Sequence, residues 1–565
     1  MHNLSEDRWL DLGTLLDELV ADQRISPDDR NICPPVQHEQ HPLEWIASQQ
    51  FADLGNPGQR LDLGTLCQWL ARQAGQPYLH IDPLKIDLAR LTGLMSAGFA
   101  RRHGILALAA DASGVTVASA QPYVRAWEAD LAQVLQRPIK RVLASPVQIR
   151  QLSQTFFQVA QSVSGASQQQ SMPTAAGNLE QLLELGNRGR EAQANDAHIV
   201  SIVDWLLQYA FEQRASDIHL EPRRDQGQLR FRIDGVLHPV YQFPGPVTLA
   251  VVSRLKSLGR MNVAEKRRPQ DGRIKTRLPG GEEVELRLST LPTTFGEKLV
   301  LRVFDPQLLQ QDFAQLGLGG ADLRRWLSML DHRHGIILVT GPTGSGKTST
   351  LYASLKHLAT PQINLCTVED PIEMVEPAFN QLQVQPSIDL DFATGTRALL
   401  RQDPDVIMIG EIRDLETAQV AIQAALTGHL VLSTLHTNDA CSAITRLLEL
   451  GIAPYLLKAS LIGVMAQRLV RTLCKHCKAA PASPGQSHQA VGCSECRQTG
   501  YHGRSAIYEL LGISDALKAR IEPDLDLLAL RRLALDDGML SLKHSGAEKV
   551  AAGQTTEAEV LRVIA

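Results

Sequence analysis

The sequence predicts a multidomain chain in which an α/β domain fills the C-terminal half, α+β domains precede it, and a small cysteine-bearing subdomain is inserted near the end. Three observations carry this expectation. From about Phe313 onward, short apolar runs alternate with helical patterns, the order of an α/β domain whose site lies at its strand ends. Before that point, period-two alternation in Leu229–Ile233 and Glu283–Leu288 stands beside the amphipathic helical pattern of Ile199–Gln213, a mixed signature. Finally, four of the eight cysteines crowd into residues 474–496.

Taken in order, residues 1–70 read as a helical segment with an internal echo. Leu10-Asp11-Leu12-Gly13-Thr14-Leu15 recurs as Leu61-Asp62-Leu63-Gly64-Thr65-Leu66, each copy followed by amphipathic helical pattern. Residues 71–160 mix strands such as Gly114–Ala118 with helices such as Trp127–Gln136, an α+β module. Residues 161–190, rich in Ser, Gln, Ala and Gly from Ser162 onward, read as a flexible linker. Residues 191–310 form a second α+β domain with turns at Asp234-Gly235 and Pro279-Gly280-Gly281, and residues 311–565 form the α/β domain.

With 565 residues, 44% hydrophobic and 21% charged, the chain has a globular composition too long for one core. A net charge of −5 gives no polyanion-binding signature, and the one dense basic run, Lys266-Arg267-Arg268, argues for no nucleic-acid partner. No run reaches the roughly 18 to 20 apolar residues that span a bilayer, and Met1–Val20 lacks a signal-peptide core, so the chain is expected in the cytoplasm with reduced thiols.

The chemistry starts at Gly341-Pro342-Thr343-Gly344-Ser345-Gly346-Lys347-Thr348, which satisfies G-x-x-x-x-G-K-[ST]. The strand-like Gly335–Thr340 precedes it and the helical Ser349–Leu358 follows it. Backbone N–H groups of such a loop wrap phosphates, the lysine reaches the β- and γ-phosphates, and the threonine ligates Mg²⁺. The expected ligand is therefore ATP with Mg²⁺. Hydrolysis also needs a carboxylate on the attacking water. Glu411 is the candidate, closing the apolar run Val406-Ile407-Met408-Ile409-Gly410, while Thr367–Glu373 offers a metal-side acid in place of the aspartate that Gly410 replaces.

The segments Leu400–Asp405, Gly410–Asp414 and Leu426–Asn438 resemble the ATPases of type II secretion and type IV pilus assembly, as do Arg214–Pro222 and Arg268–Arg273 upstream. The likeness spans most of residues 196–565. It implies a RecA-like motor domain, a preceding PAS-like domain, and a homo-hexamer that works on an inner-membrane platform and its cytoplasmic docking proteins. It further implies an aspartate box over Glu369–Glu373 with Glu373 catalytic, and a histidine box from His429 to His436. Arg287 and Arg302 are expected to approach the phosphates as their domain closes, with Arg397, Arg401 and Arg413 around the site.

Cys474-x-x-Cys477 and Cys493-x-x-Cys496, fifteen residues apart, have the spacing of two zinc knuckles with a closed, structural Zn²⁺. Retraction motors of pili generally lack this insertion, so the resemblance favours assembly or secretion. Cys33, Cys67, Cys366 and Cys441 read as small apolar side chains. The sequence ranks type II secretion first and type IV pilus extension second. A cyclic di-GMP-binding N-terminus ranks lower, because relatives that bind it carry Arg-Leu-Gly where this chain has Asp11-Leu12-Gly13 and Asp62-Leu63-Gly64, with the nearest arginines displaced to Arg8 and Arg60.

Overall fold

The computed structural model describes residues 7–31, 40–55, 60–83, 86, 93–170, 196–277, 281, 283–304, 311–481, 487–493 and 495–564. Cys33, the turn residues Pro279 and Gly280, and residues 171–190 of the expected linker lie outside them. The chain divides into two compact units, Met1–Val303 and Phe304–Ala565. Among the described residues no helix is long and apolar enough to cross a membrane.

In the first unit, the repeated Asp-Leu-Gly-Thr-Leu motif opens two helices, Leu12–Ala21 and Leu63–Gln73, and each aspartate caps its own helix by accepting the N–H of Thr14 or Thr65. The leucines that follow, Leu15, Leu16, Leu19, Leu66 and Leu70, share one small core. Next come β1 (Ile105–Asp111), β2 (Gly114–Ser119) and β3 (Ile139–Leu143), a three-stranded sheet in that order.

The helix Pro146–Gln170 then runs well into the segment whose composition reads as a linker. Its face buries Val159, Val163 and Ala166 in the same cluster as Ile199, Ile202 and Leu206 of the helix Ala197–Glu212. Apolar burial on one side thus carries the helix through a stretch of Ser and Gln.

The rest of this unit is a six-stranded sheet built from β4 (Asp217–Pro222), β5 (Gln226–Ile233), β6 (Val236–Pro244), β7 (Gln270–Arg277), β8 (Glu283–Thr293) and β9 (Gly296–Phe304), in the order β6-β5-β4-β9-β8-β7. Alternation places Leu286, Leu288, Leu299 and Leu301 in the core and sends Arg287 and Arg302 to the other face. The helix Gly245–Leu258 brings Lys256 under the sheet. Lys256 Nζ, fully buried, donates to Glu297 Oε1 at 2.6 Å and to the Glu265 carbonyl at 2.7 Å.

The second unit is organised by a seven-stranded sheet of β10 (Gly335–Thr340), β11 (Leu365–Glu369), β12 (Asn380–Gln383), β13 (Val406–Ile409), β14 (Leu430–Leu435), β15 (Leu461–Leu473) and β16 (Tyr501–Gly512), in the order β12-β11-β13-β14-β10-β15-β16. The first six positions in that order are parallel, and β16 pairs antiparallel with β15. Every residue of β10, β11, β13 and β14 is buried, as expected where helices cover both faces of a parallel sheet. The carboxyl ends of these strands form one rim, and the functional loops leave from it.

Glu297→Ala would leave the Lys256 ammonium buried without its counter-charge. The expected cost is about 3–5 kcal/mol to the first unit, read as an earlier denaturant transition in that unit by hydrogen exchange. An unchanged transition would show that the pair is not needed.

Candidate functional site

The glycine loop follows β10 directly and leads into the helix Lys347–Leu358, whose N-terminus has no side-chain cap. Its first-turn N–H groups are therefore left for an external acceptor, and the helix end favours an anion. Gly346 sits at φ +89°, a conformation that a side chain would strain. The Ser345 hydroxyl, on a residue 3% exposed, has no hydrogen-bond partner. Lys347 folds back over the loop and donates to the carbonyls of Gly341 at 2.8 Å and Pro342 at 3.2 Å. Burial pushes its ammonium down to about 8, Glu411 works against that shift, and Arg468 adds to it. A buried cation whose partners are two carbonyls, beside uncapped N–H groups, is the donor set that a polyphosphate completes. Thr348, half-buried, occupies the next position.

Glu411 leaves the rim after β13 and Gly410. Arg413 donates to its Oε1, and His436 Nε2 lies 3.3 Å from its Oε2. His436 stands there because β14 ends at Leu435, and the next residue is held by Thr437 N–H donating to Thr340 Oγ1 at 2.8 Å. The structure thus brings the glycine loop, Glu411, Arg413 and His436 to one rim.

His429 goes elsewhere. It precedes β14, while the Gly335 N–H, at the start of β10, donates to its carbonyl. At about 3.3 Å per residue the two histidines are roughly 20 Å apart along the strand. His429 Nδ1 lies 2.9 Å from the Ala424 carbonyl, a local contact at the opposite rim, so within this chain the box is split. The physical reason is that β14 is fully extended between its two ends.

The acidic segment is also divided. Glu369 accepts from Tyr352 Oη and Thr367 Oγ1, both at 2.7 Å, and is 4% exposed, which commits it to holding β11 and its neighbours. Glu373 is half-buried just after it, its N–H donating to Glu369 at 3.5 Å. Arg397 pairs with Glu416 at 2.8 Å, and Arg401 donates to the Arg397 carbonyl at 2.9 Å, both exposed. Arg287 and Arg302 belong to the first unit, where Arg302 is paired with Asp217 at 3.0 Å. In the basic run, Arg267 is neutralised by Glu265 at 3.0 Å.

The four knuckle cysteines converge, all sulfurs lying within 4.8 Å of one another. Cys474–Cys493 and Cys493–Cys496 are 3.7 Å apart and Cys477–Cys496 3.6 Å. Disulfides need about 2.05 Å, whereas sulfurs about 2.3 Å from a shared tetrahedral ion lie about 3.8 Å apart. Burial opposes ionisation of Cys496, but N–H groups of Cys493 and Gly500 donating to its sulfur hold its pKa below the ordinary thiol value. The cluster can hold one metal ion.

Beside the cluster, Glu559 of the C-terminal helix accepts from Arg471 at 2.8 Å and Arg562 at 2.6 Å, and Arg471 lies over the Tyr501 ring. Sequence reasoning missed this clamp, since its members are scattered along the chain.

The family described as Type II/IV secretion system protein matches residues 192–562, and the MshEN domain matches residues 74–163. The type IV pilus assembly ATPase TfpB of Acinetobacter baylyi is 50% identical, covering 98% of this chain and 98% of that protein. Type II secretion system protein E of Pseudomonas aeruginosa is 45% identical over 73% of this chain and 83% of its own length. The ATPase DotB of Legionella pneumophila, 21% identical, shares the fold with a TM-score of 0.50 over 64% of this chain and 95% of its own.

Glu559 is held ionised to about 2: burial opposes this, and the bonds from Arg562 and Arg471 overcome it. A depressed carboxylate stabilises the fold above its unfolded value of 4.5 and loses that contribution as pH falls towards 2. The expected loss across that window is about 2 kcal/mol after discounting for the exposed Arg562. Glu559→Gln should show the same loss at neutral pH and a flatter acid unfolding curve; a parent-like acid curve in the variant would exclude the clamp as its cause. The chain belongs to the Type II/IV secretion system protein family, and its second unit is an ATPase domain of that family.

Proposed function

We propose that this protein is a cytoplasmic motor that hydrolyses Mg²⁺-ATP to extend a type IV pilus, working as a hexamer against an inner-membrane platform. The observation that carries the reading is the convergence of the glycine loop with Glu411, Arg413 and His436 on one sheet rim. The pathway rests on likeness. Type II secretion, ranked first from the sequence alone, is the less supported choice, because the pilus assembly relative is more identical and matches nearly full length.

In this reading, the glycine loop and Lys347 hold the β- and γ-phosphates and Thr348 holds Mg²⁺, with Glu373 on the metal side. Glu411 orients the attacking water. Charge builds on the γ-oxygens during transfer, and arginines that arrive only on closure make hydrolysis conditional. Arg287 and Arg302 are suited to that role, since both leave the polar face of their sheet. Arg413 and His436 are suited to sense the γ-phosphate through Glu411, and Arg397 and Arg401 to act across a subunit boundary. The sulfur cluster suits Zn²⁺, closed by four thiolates and therefore structural.

Glu411→Gln should lower kcat by about 10²- to 10⁴-fold while ATP still binds, and hydrolysis by the parent should rise as hexamers form. Steady-state assays across protein concentration, with mass-resolved assembly, check both. ATP binding without hydrolysis in any assembly state, platform included, would make the chain a nucleotide-gated scaffold. For the metal, one zinc per chain is expected by elemental analysis, with a lower unfolding temperature after chelation. A parent-like temperature in the stripped protein would remove the structural role.

A second reading concerns regulation. The first unit holds a cavity of about 990 Å³ lined by Trp9, Trp45, Arg101, Arg102, Arg150 and Ser153, where the buried Ser153 hydroxyl has no partner. Arg150 is paired with Glu44 at 2.9 Å, and the aromatic walls with Arg101 and Arg102 suit a planar anion such as cyclic di-GMP. Against it, Asp11 and Asp62 occupy the arginine positions of the binding motif and act as helix caps. Calorimetric titration with cyclic di-GMP decides: saturable heat, lost in Arg102→Ala, supports the reading, and no heat ends it.

A further inference from the structure

Arg468 is 8% exposed, yet no carboxylate lies within ion-pair distance of it among the described residues. Its guanidinium donates to two carbonyls, Gln467 O at 3.1 Å and Asn438 O at 2.7 Å. Asp439 and Glu509 act on it only from a distance, and burial dominates its surroundings. A buried cation with no carboxylate in contact keeps much of its desolvation cost, and a further negative charge nearby would offset it.

Its location puts that demand beneath the glycine loop. In the pairing of β10 with β15, Thr340 stands opposite Ala466, so the next residues, Gly341 and Gln467, meet where the strand becomes the glycine loop. A Cβ on Gly341 would lie 2.5 Å from the Gln467 carbonyl oxygen and 3.2 Å from a guanidinium nitrogen of Arg468. Gln467, fully buried, accepts from Thr350 Oγ1 at 2.8 Å, and its amide nitrogen would lie 2.7 Å from a Cβ on Gly346. The charge of Arg468 is also felt at the Lys347 ammonium. At the other end of the guanidinium, Asn438 lies two residues after His436, which faces Glu411.

The geometry points to Arg468 as a positioning residue of the nucleotide site: from beneath the glycine loop it supplies a fixed positive charge to the phosphates, and through Asn438 it holds the His436 turn against Glu411. This rests on the reading of the loop as an ATP site. The two roles separate by chemistry. The charge acts on ligands in proportion to their own charge, whereas the hold on Asn438 uses two separate nitrogens of a planar fork, one on Gln467 O and the other on Asn438 O, a spread that the single nitrogen of a lysine does not reproduce.

The test uses the full chain with Arg468→Met and Arg468→Lys, measuring Mg²⁺-ATP and ADP affinities, kcat, KM and unfolding temperature. Arg468→Met should weaken ATP by about tenfold or more and ADP distinctly less. Arg468→Lys should recover ATP affinity to within about threefold while kcat remains about tenfold low. Equal weakening of ATP and ADP by Arg468→Met, or parental ATP affinity, would overturn the charge role, as would failure of Arg468→Lys to recover affinity. A parental kcat in Arg468→Lys would overturn the hold on the His436 turn. If the Met chain does not fold, Arg468→Lys decides alone, on affinity and kcat together. A parent that fails to bind ATP would sink the nucleotide reading itself, a result distinct from all of these.

Discussion

The second unit depends on one constraint: a loop that binds phosphate through its backbone must have that backbone held while its N–H groups stay free. An ordinary helix start satisfies its first N–H groups with a capping side chain. Here Gly346 stands in the capping position and offers none, so the loop needs its support from below. That support is β15. Its buried Gln467 ties to the first turn of the loop helix through Thr350, and its backbone packs against Gly341 too closely for any side chain there. The absence of a Cβ at Gly341 is thus a packing requirement as well as a matter of backbone freedom.

The sheet order carries the same constraint to the reacting groups. The β10 strand lies between β14 and β15, with β13 beyond β14, so the glycine loop, the His436 turn and Glu411 leave from neighbouring strand ends. Thr340, the last residue of β10, accepts the Thr437 N–H and so joins the loop to the turn. Parallel strands place all these departures on one rim, which is why an open α/β sheet suits a site built from distant parts of the chain.

Much of this was legible in the sequence because it is local. The glycine loop, the apolar run ending at Gly410-Glu411 and the two cysteine pairs each announce themselves within a few residues, and each sits in the structure where its spacing implies. What depends on register was not legible. Nothing near Arg468 shows that it lies beneath Gly341; that follows from Thr340 standing opposite Ala466. The resemblance groups His429 and His436 in one box, and the six-residue strand β14 between them sets them at its opposite ends. Composition misled at Ser162–Gln170, where a buried face on Val163 and Ala166 outweighs a polar, flexible-looking stretch. The arginines of the first unit are legible only by likeness, because a lone arginine on a strand looks the same whether it meets a phosphate or, like Arg302, an aspartate.

The state of Glu411 has a mechanistic consequence. Its two oxygens face Arg413 and His436, so a water that approaches Glu411 must share the carboxylate with these neighbours. In the proposed mechanism a γ-phosphate competes for Arg413, since it offers a guanidinium more negative charge than a carboxylate does. Nucleotide binding in that mechanism would release Glu411 to orient water by competing for its partners. The His436 turn can answer such competition only if its backbone stays anchored while its side chain moves. The bonds from Thr437 to Thr340 and from Arg468 to Asn438 fix the main chain of the two residues that follow His436.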